Sequence, residues 1–358
     1  MSPRIAHITL IMQDVPGVAK KLESQAQVCK ESGISIDFYW LTREGALRDE
    51  DYKYLKLESF NIGSAVKLRI AQVKRMNELA EQYDKVILRY PLFDPFIFAL
   101  YKGKFKTILE HHAFELEELK LVKSKRYLLE KFFAPCFMRR FLALTAVTEE
   151  IVDYEVLRAN FKGQRALVPN AIRLSDETLE GGLFQREQVQ LAFVCSYFYE
   201  WHGLDLLLEG LESQICDDFH IHLVGEMPVA LLDKAKQLKD SITIHGSKGF
   251  EESQEIVRSC DLGISCLALK RKGLKEASAL KVREYLANGL PVVLTYREAA
   301  FPQDFPYLLQ MDKIDFDKLR AFVKKHKGLA KNEVKKASYR YIDAEQVNRN
   351  LYYFCRNL

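Results

Sequence analysis

Short apolar runs alternate with amphipathic stretches along the first half of the chain. An apolar run at 4–12, a stretch of helical periodicity at 18–32 and a second apolar run at 34–41 predict the βαβ unit of a parallel sheet. The alternation continues until Pro169 and Asn170 end the last run. It predicts further strands at 84–88, 106–109, 141–147 and 166–168, and further helices at 67–82 and 117–133.

A second alternation follows a polar, glycine-containing stretch at 175–188 that we interpret as a linker. It predicts strands at 191–195, 220–224, 242–245, 261–269 and 292–294, and helices at 204–212, 230–238, 251–259 and 279–288. Two successive series of strands and helices indicate an α/β protein with two Rossmann-like domains. We place them at 1–172 and 173–343, followed by an aromatic helix at about 344–358.

Composition agrees with two soluble domains, because 358 residues exceed one ordinary hydrophobic core. A formal net charge of only +4 gives no sign of nucleic-acid binding. The seven cysteines are scattered singly, which favours reduced thiols in the cytosol over disulfides or a structural zinc site. The apolar run near the N-terminus is too short for a signal peptide, and no apolar stretch is long enough to predict a transmembrane helix.

The segment 261–294 carries the most specific pattern in the chain. A buried strand leads through a basic loop to Ser278, which we expect to cap a helix that ends before Gly289. Pro291 then opens another apolar strand. A loop of this kind lies at the carboxyl end of a parallel strand and leads into a helix N-terminus, where phosphorylated ligands bind in open α/β sheets.

The residues in and after this loop resemble a known signature. SALKVREYLANGLPVV follows the pattern S-x-L-K-x-x-E-Y-x-A-x-G-x-P-V-V, and seven residues separate Glu276 from Glu284. This resembles the donor site of retaining GT-B glycosyltransferases, family 4 or glycosyl transferases group 1. The resemblance implies two Rossmann-like domains facing across a cleft, with the C-terminal helix packing back on the N-terminal domain. It also implies a UDP- or GDP-linked sugar as substrate, with no cofactor and no metal.

The resemblance assigns roles to the residues of this signature. Glu284 would accept hydrogen bonds from the ribose hydroxyls, and Glu276 would contact the transferred sugar. Lys281 would face the diphosphate. The remaining donor-site residues at the start of the helix are Ser278, Ala279 and Leu280.

Other donor-site motifs are matched less fully. A basic pair usually grips the diphosphate after the first strand of this domain, but Cys195 stands near the Arg position and His202 replaces the Lys. The loop with Gly246 and Lys248 resembles the turn that reads the nucleobase, although an ordinary turn explains its glycines equally well. Asn170 belongs to a motif that is similar to V-P-N-G at the domain junction, with alanine in place of the glycine.

The N-terminal half supplies fewer matches. Gly17 ends a loop that resembles the first glycine loop of the family, which approaches the sugar and the acceptor. His112, with His111 behind it, resembles the histidine beside the transferred sugar. A hydrogen-bonded loop histidine is the alternative. A neutral imidazole there would exchange hydrogen bonds with the sugar rather than act as a general base, because the leaving phosphate is thought to assist deprotonation of the acceptor in this family.

The stretch 101–140 concentrates positive charge, with ten basic residues against five acidic residues. Aromatic residues are interleaved with the basic ones. Such a surface suits an anionic membrane beside a lipid-linked acceptor. The alternative is an amphipathic helix with buried aromatics and solvated charges.

These observations favour a retaining glycosyltransferase that acts on a glycan or lipid-linked acceptor in bacterial surface polysaccharide or glycolipid assembly. The expected location is the cytoplasm or the cytoplasmic face of the membrane. Two alternatives remain: a GT-B enzyme of another class, such as a nucleotide-sugar epimerase or hydrolase, and a catalytically silent partner protein. The fold alone does not choose among them.

Overall fold

The computed structural model describes residues 3–10, 16–45 and 52–358, without the side chains of Pro16, Gly17 and Leu121. The chain divides into two compact units. The first unit contains Met1–Arg173 together with Asp343–Leu358, and the second contains Leu174–Ile342. The chain therefore passes between the units twice.

The first unit is built on a parallel sheet that has seven strands among the described residues, in the order β3-β2-β1-β4-β5-β6-β7. Both faces of its middle strands are buried, which explains their continuous apolar runs. The strands are β1 (Ile5–Leu10), β2 (Ile36–Arg43), β3 (Lys56–Phe60), β4 (Lys85–Arg89), β5 (Thr107–His111), β6 (Ala143–Ala146) and β7 (Gln164–Leu167).

A helix connects β1 to β2, and further helices connect the strands from β3 to β7 in sequence, as the parallel pairing requires. Side-chain caps define several of their starts: Ser64, Asp94 and Thr148 each accept a hydrogen bond from a backbone amide in the first turn. The helices are α1 (Pro16–Glu31), α2 (Ala65–Gln82), α3 (Pro95–Leu100), α4 (Glu115–Leu121), α5 (Arg126–Met138) and α6 (Glu149–Ala159).

The second unit repeats the design. Its main sheet has six parallel strands within the described part of the chain, in the order β10-β9-β8-β11-β13-β15, and β12 pairs with β14 beside it. The strands are β8 (Val189–Tyr197), β9 (Phe219–Glu226), β10 (Ile242–Gly246), β11 (Leu262–Ile264), β12 (Glu276–Ala277), β13 (Val292–Leu294), β14 (Arg297–Glu298) and β15 (Leu308–Gln310). The helices are α7 (Leu204–Ser213), α8 (Val229–Gln237), α9 (Phe250–Ser259), α10 (Leu280–Ala287), α11 (Phe316–Lys325) and α12 (Lys331–Ile342).

A last helix, α13 (Ala344–Arg356), returns to the first unit. Asp343 caps it by accepting from the amide of Gln346. Its apolar face joins the core of the first unit through Val347, Leu351 and Cys355. The amide of Ala344 donates to the carbonyl of Ile172 at 2.9 Å, which fixes the point of return.

Two parallel sheets with helical connections confirm the predicted α/β class. Three details of the prediction are wrong. The predicted helix at 117–133 is two helices, because Lys123 adopts a φ of +50° between α4 and α5. The predicted strand at 261–269 is a strand only over Leu262–Ile264. The predicted linker at 175–188 is part of the second unit, where Leu183 and Phe184 lie in the hydrophobic core.

The alternating pattern misses several elements with weak local signals. β3 is an edge strand whose residues are only partly buried, so its sequence lacks an apolar run. Helices α11 and α12 are not predicted either, although both are strongly amphipathic, because they lie beyond the motifs. Among the described residues, no helix is both long and apolar enough to cross a membrane.

Candidate functional site

In the second unit, α10 starts at the edge of the sheet where the parallel strands end. Tyr285 of this helix lies directly on Gly263 of β11, where an added Cβ would come within 2.3 Å of the ring. The hydroxyl of Tyr285 accepts a hydrogen bond from the amide of Val194 on β8 at 2.9 Å. These contacts fix the helix against the centre of the sheet, so its first turn faces the strand ends.

A buried ion pair braces the loop before α10. Arg283 and Glu298 are both fully buried, and their side chains meet at 2.6 Å. Arg283 also donates to the carbonyl of Ala279 at 3.1 Å and to the hydroxyl of Ser278 at 2.9 Å. The loop conformation is therefore held by a side chain from the helix that the loop precedes.

This bracing corrects the prediction that Ser278 caps the helix. The N-cap is Ala279, which makes no side-chain capping bond, and α10 begins at Leu280. The hydroxyl of Ser278 binds Arg283 instead. The amide of Ala279 donates to Glu298 at 3.4 Å. The first-turn amides of Leu280 and Lys281 lie at the positive end of the helix dipole, where an anion is favoured.

Glu284 lies one turn into α10 and is only partly exposed. Burial raises the pKa of its carboxyl group, and the nearby Lys281 opposes that rise. No hydrogen bond or ion pair to this carboxylate is recorded within the described residues, whereas the other buried carboxylates of this region are paired. A half-buried acid of this kind is typical of a ligand site.

Lys281 points across to β8, where its Nζ atom lies 2.9 Å from the sulfur of Cys195. The same ammonium group is 5.4 Å from the centre of the Phe193 ring. Burial raises the pKa of the Cys195 thiol, so this neighbour is a neutral, weak acceptor. Cys195 therefore does not neutralise the positive charge of Lys281 at the strand ends.

His202 does not supply a second cation. Its Nδ1 atom accepts a hydrogen bond from the amide of Tyr199 at 3.0 Å, which places the ring proton on Nε2. Burial, followed by the charge of Lys281, lowers the pKa of His202 to about 3. At neutral pH the imidazole is an uncharged N–H donor and not a substitute for lysine.

Glu276 lies in β12 rather than in an irregular loop, because its strand pairs with β14 in register with Arg297. The side chains of Glu276 and Arg297 form an ion pair at 2.6 Å, and only 11% of the Glu276 side chain is exposed. The carboxylate is therefore held in one direction.

The loop predicted to read a nucleobase follows β10 at the edge of the same sheet. Gly246 has a φ of +68°, which a residue with a side chain rarely adopts. Lys248 is 3.2 Å from Glu252, which also accepts the amide of Gly249 at the start of α9. The loop is a well-formed helix start, and its role toward a base stays a prediction.

In the first unit, His112 follows the end of β5 and its side chain is 15% exposed. Its Nε2 atom is 2.8 Å from Oε2 of Glu110, and the same oxygen is 2.9 Å from Nε2 of His7 on β1. Burial lowers the pKa of His112 to about 4, although the negative charge of Glu110 opposes this decrease. The ring is neutral at pH 7, as expected for a hydrogen-bonding group.

His111 is fully buried behind His112 and contacts Glu115 through Nδ1 at 3.1 Å. Burial lowers the pKa of His111, but Glu115 and then Glu155 outweigh it and raise the pKa overall. In the part of the chain that the structure describes, His111, Glu115 and Glu155 are the one group of three side chains with metal-binding atoms within 4.8 Å. Arg158 binds Glu155 at 2.5 Å, so ion pairing accounts for this cluster.

Two further predicted residues lie in the first unit. Asn170 accepts a hydrogen bond from Lys21 at 2.6 Å, and Lys21 also lowers the pKa of His112. Gly17 is in the first turn of α1, while 13–15 of the predicted glycine loop lie outside the described residues. The structure thus groups Lys21, Asn170 and His112 in one region of the first unit.

Sequence reasoning missed Glu110, His7, Arg283 and Glu298. Glu110 directly precedes His111 and His112 in the sequence, so its proximity to them could have been predicted. His7 lies 103 positions from Glu110, and no local pattern predicts that the two side chains meet. Arg283 and Glu298 carry no role in the family pattern that the sequence matches. A charged residue inside an otherwise apolar helix face is the signal that could have drawn attention to Arg283.

Comparison with known proteins shows which family part of the chain resembles and which solved structures share its fold. Residues 188–305 match the family described as Glycosyl transferases group 1. No curated protein matches the chain by sequence. Three solved structures illustrate the likeness in fold. The lipopolysaccharide outer core galactosyltransferase WaaB is 12% identical, with a TM-score of 0.67 over 98% of this chain and 99% of WaaB.

WaaG, a glycosyltransferase involved in lipopolysaccharide biosynthesis, is 14% identical, with a TM-score of 0.62 over 98% of this chain and 99% of its own. Anabaena Alr3699/HepE, solved in complex with UDP and glucose, is 12% identical, with a TM-score of 0.61 over 99% of this chain and 100% of its own. Likeness along the full chain confirms the predicted GT-B fold. The family match confirms the predicted resemblance over the donor segment and supports a glycosyltransferase enzyme.

Proposed function

We propose that this protein is a retaining glycosyltransferase of family 4, because residues 188–305 match the family described as Glycosyl transferases group 1. It moves a sugar from a UDP- or GDP-linked donor to a glycan or lipid-linked acceptor. The setting we propose is bacterial surface polysaccharide or glycolipid assembly at the cytoplasmic face of the membrane.

The observation that carries this proposal is the arrangement at the start of α10. Among the described residues, no side chain or backbone group forms a hydrogen bond or ion pair with the Glu284 carboxylate, and the charge of Lys281 acts on it from the same helix. A carboxylate suits the two neighbouring hydroxyls of a ribose, and an ammonium group with free helix amides suits a diphosphate. Lys281 and Glu284 lie one turn apart on α10, and this spacing suits contacts to the diphosphate and the ribose of one nucleotide.

The reaction would follow from these contacts. The oxygen of the acceptor hydroxyl bonds to the anomeric carbon as the bond from that carbon to the diphosphate breaks. The departing phosphate takes the proton of the acceptor hydroxyl, and Lys281 with the helix dipole stabilises the charge that develops on it. Glu276, fixed by Arg297, would hold a hydroxyl of the transferred sugar. No cofactor or metal is needed for this sequence of steps.

An exposed apolar surface in the first unit supports a membrane-bound acceptor. Large hydrophobic side chains that elsewhere would be buried stand in solvent on and around α5, and Phe105 and Val122 are each 73% exposed. The other members of this surface are Leu100, Leu128, Leu129, Phe132 and Phe133. We call these seven residues the apolar surface. Four of them, Leu128, Leu129, Phe132 and Phe133, are neighbours on successive turns of α5. Adjoining exposed apolar side chains mark an interaction site.

Basic residues of the same stretch are exposed as well. They are Lys102, Lys123, Lys125, Arg126 and Lys131, so both predicted features of the stretch 101–140 are accessible to a partner. Phe137, Met138 and Phe141 of the same stretch are buried in the core, so only some of its large apolar side chains are exposed. Exposed apolar and basic side chains together are suited to an anionic lipid headgroup layer.

The proposal is tested by ligand binding before any acceptor is known. The melting temperature of the protein is measured with UDP, GDP, UDP-glucose and GDP-mannose, because a ligand of the native state raises it. We expect one nucleoside diphosphate and its sugar to raise the melting temperature by several degrees at millimolar concentration. If all four leave it unchanged, the proposed use of a UDP- or GDP-linked donor is wrong.

One observation favours a second candidate function. Cys195 and the neutral His202 supply no cation at the two positions where the family's basic pair is expected. A catalytically silent GT-B partner protein would tolerate this loss. Binding of a nucleoside diphosphate without hydrolysis or transfer of any donor would support this second candidate.

A further inference from the structure

Three of the eight histidines lie side by side on the main sheet of the second unit. His220 and His222 are two positions apart on β9, so their side chains point to the same face, and His245 comes from the neighbouring β10. The ring centres of His220 and His245 are each 5.2 Å from that of His222. All three residues are half-buried, so the cluster is open to ions from solvent.

Two of these rings face each other through nitrogen atoms. Nδ1 of His222 is 3.0 Å from Nε2 of His245. On the other side of its ring, Nε2 of His222 is 2.9 Å from Oε1 of Gln190 on β8. A carbonyl oxygen only accepts hydrogen bonds, so His222 donates its Nε2–H group to Gln190 and has a lone pair on Nδ1. His245 then donates its Nε2–H group to that lone pair, and a single proton lies between the two nitrogen atoms.

We propose that His222 and His245 bind a divalent transition-metal ion such as Zn²⁺ in place of the proton that they share, with His220 as a third ligand. Zinc lies about 2.0–2.1 Å from an imidazole nitrogen, so two tetrahedral ligands are about 3.3 Å apart. The observed 3.0 Å requires only a small outward turn of the rings. The ring proton of His245 moves from Nε2 to Nδ1, so the neutral pair takes up the ion without releasing a proton.

The third ligand requires a larger movement. Nε2 of His220 is 2.8 Å from the hydroxyl of Thr243, and rotation of the His220 side chain would exchange this hydrogen bond for the metal. The site uses no cysteine, and it is separate from the proposed sugar transfer, which needs no metal.

The surroundings of the pair suit this kind of ligand. A histidine that binds a metal usually donates its other N–H group to an oxygen, as His222 does to Gln190. Burial lowers the pKa of His222 to about 4 and also lowers the pKa of His245, so both rings are neutral at pH 7, as metal binding requires. Imidazole favours zinc, copper and nickel over calcium and magnesium. Arg186 and Lys248 add positive charge near the pair, so we expect micromolar rather than nanomolar affinity.

Calorimetric titration of the whole protein with zinc chloride tests the proposal. We expect a single zinc ion to bind with a micromolar dissociation constant and calcium chloride to give no binding. His222→Gln and His245→Gln should each weaken zinc binding about tenfold or more, and His220→Gln should weaken it less. Absence of saturable binding below about 1 mM zinc, or full affinity in His245→Gln, would overturn the proposal.

Two matched variants exclude other zinc ligands. His326→Gln changes another half-buried histidine of the second unit, at the end of α11, and Cys136→Ser removes an exposed thiol. Both should keep the affinity of the wild type. Loss of binding in either of these variants, with binding retained in His222→Gln and His245→Gln, would place the zinc elsewhere and overturn the assignment.

Nitrogen-15 NMR of the histidine side chains gives a second measurement that needs no variant of His222 to fold. In the metal-free protein at pH 7 we expect the protons of His222 and His245 on Nε2. Zinc should move the proton of His245 to Nδ1 and leave that of His222 in place, and unchanged ring signals would contradict the proposal. Neither measurement uses a nucleotide, so the zinc site and the proposed sugar transfer can fail independently.

Discussion

Arg283 and Glu298 form a fully buried ion pair whose side chains meet at 2.6 Å. The pair supports the start of α10, because Arg283 also binds Ser278 and the carbonyl of Ala279. Taking two charges out of water is costly, and the cost is offset only while both partners and their hydrogen bonds remain. The loop at the candidate donor site is thus coupled to the stability of the second unit.

Loss of one partner should be strongly destabilising. Arg283→Met leaves a buried, unpaired carboxylate and should lower the free energy of unfolding by about 3–5 kcal/mol. Urea denaturation followed by circular dichroism measures this change. The double variant Arg283→Met with Glu298→Leu should recover most of the loss. Equal destabilisation in the single and double variants would show that packing, and not charge pairing, is responsible.

Glu284→Gln should weaken donor binding without unfolding the protein. A carboxylate accepts stronger hydrogen bonds from hydroxyls than an amide does, and one such bond is worth roughly 1.5–3 kcal/mol, or about ten- to a hundredfold in affinity. Calorimetry with UDP and GDP measures the loss. Glu209→Gln, an exposed acid on α7, is the control. Wild-type affinity in a folded Glu284→Gln protein would remove this residue from the site.

Lys281→Ala should weaken nucleoside diphosphate binding much more than nucleoside binding, because only the diphosphate carries the compensating charge. Lys236→Ala on α8 removes an exposed lysine and should change neither. His202→Lys restores a cation at the position that is now neutral and should strengthen diphosphate binding several-fold. Equal losses for both ligands in Lys281→Ala would assign this lysine a structural role.

The apolar surface and the exposed basic residues of the stretch 101–140 should bind anionic vesicles. Each basic residue near such a membrane contributes about 1 kcal/mol, and the contribution falls within a Debye length. Changing Lys123, Lys125 and Arg126 together to Gln should reduce sedimentation with phosphatidylglycerol vesicles and remove its salt dependence. Lys318, Lys324 and Lys325 on α11 form the control triple.

The apolar contribution is tested separately. Phe132→Ser with Phe133→Ser should reduce vesicle binding also at high salt, because buried aromatic area does not depend on charge. Ile215→Ser, which removes an 81% exposed apolar side chain in the second unit, should have no effect. Unchanged sedimentation of both the charge and the aromatic variants would mean that this face does not contact lipid.

Acid should destabilise the protein through its buried neutral histidines. Burial, then His220 and His245, lower the pKa of His222 to about 4 from an ordinary value near 6.5. The unfolded chain therefore binds the proton first, so the stability contributed by neutral His222 is complete above pH 6.5 and is lost as the pH falls toward 4. Between pH 7 and pH 5 the melting temperature of His222→Gln should decrease less than that of the wild type. An identical loss in both proteins would exclude His222 as a source of the acid effect.

The sequence by itself determined the class of fold and the family that the donor segment resembles. Parallel strands that are buried on both faces need continuous apolar runs, and most strands of both units appear as such runs. The segment around Lys281, Glu284 and Gly289 is equally readable, because a loop, a helix start and a helix end depend on neighbouring residues. Gly289 has a φ of +74° after α10, as its place in the pattern predicts.

Only the tertiary structure decided how those residues are held. Serine is a common helix-capping residue, but the hydroxyl of Ser278 accepts a hydrogen bond from Arg283 of α10 instead of capping that helix. His7 and Glu110 stand 103 positions apart and share a hydrogen bond because β1 and β5 lie in one sheet. Burial lowers the pKa of His202 and of His112, so both imidazoles are neutral at pH 7. Phe132 and Phe133 are exposed, although their residue type is usually buried. Such properties depend on the side chains that the fold brings together, and no local pattern specifies them.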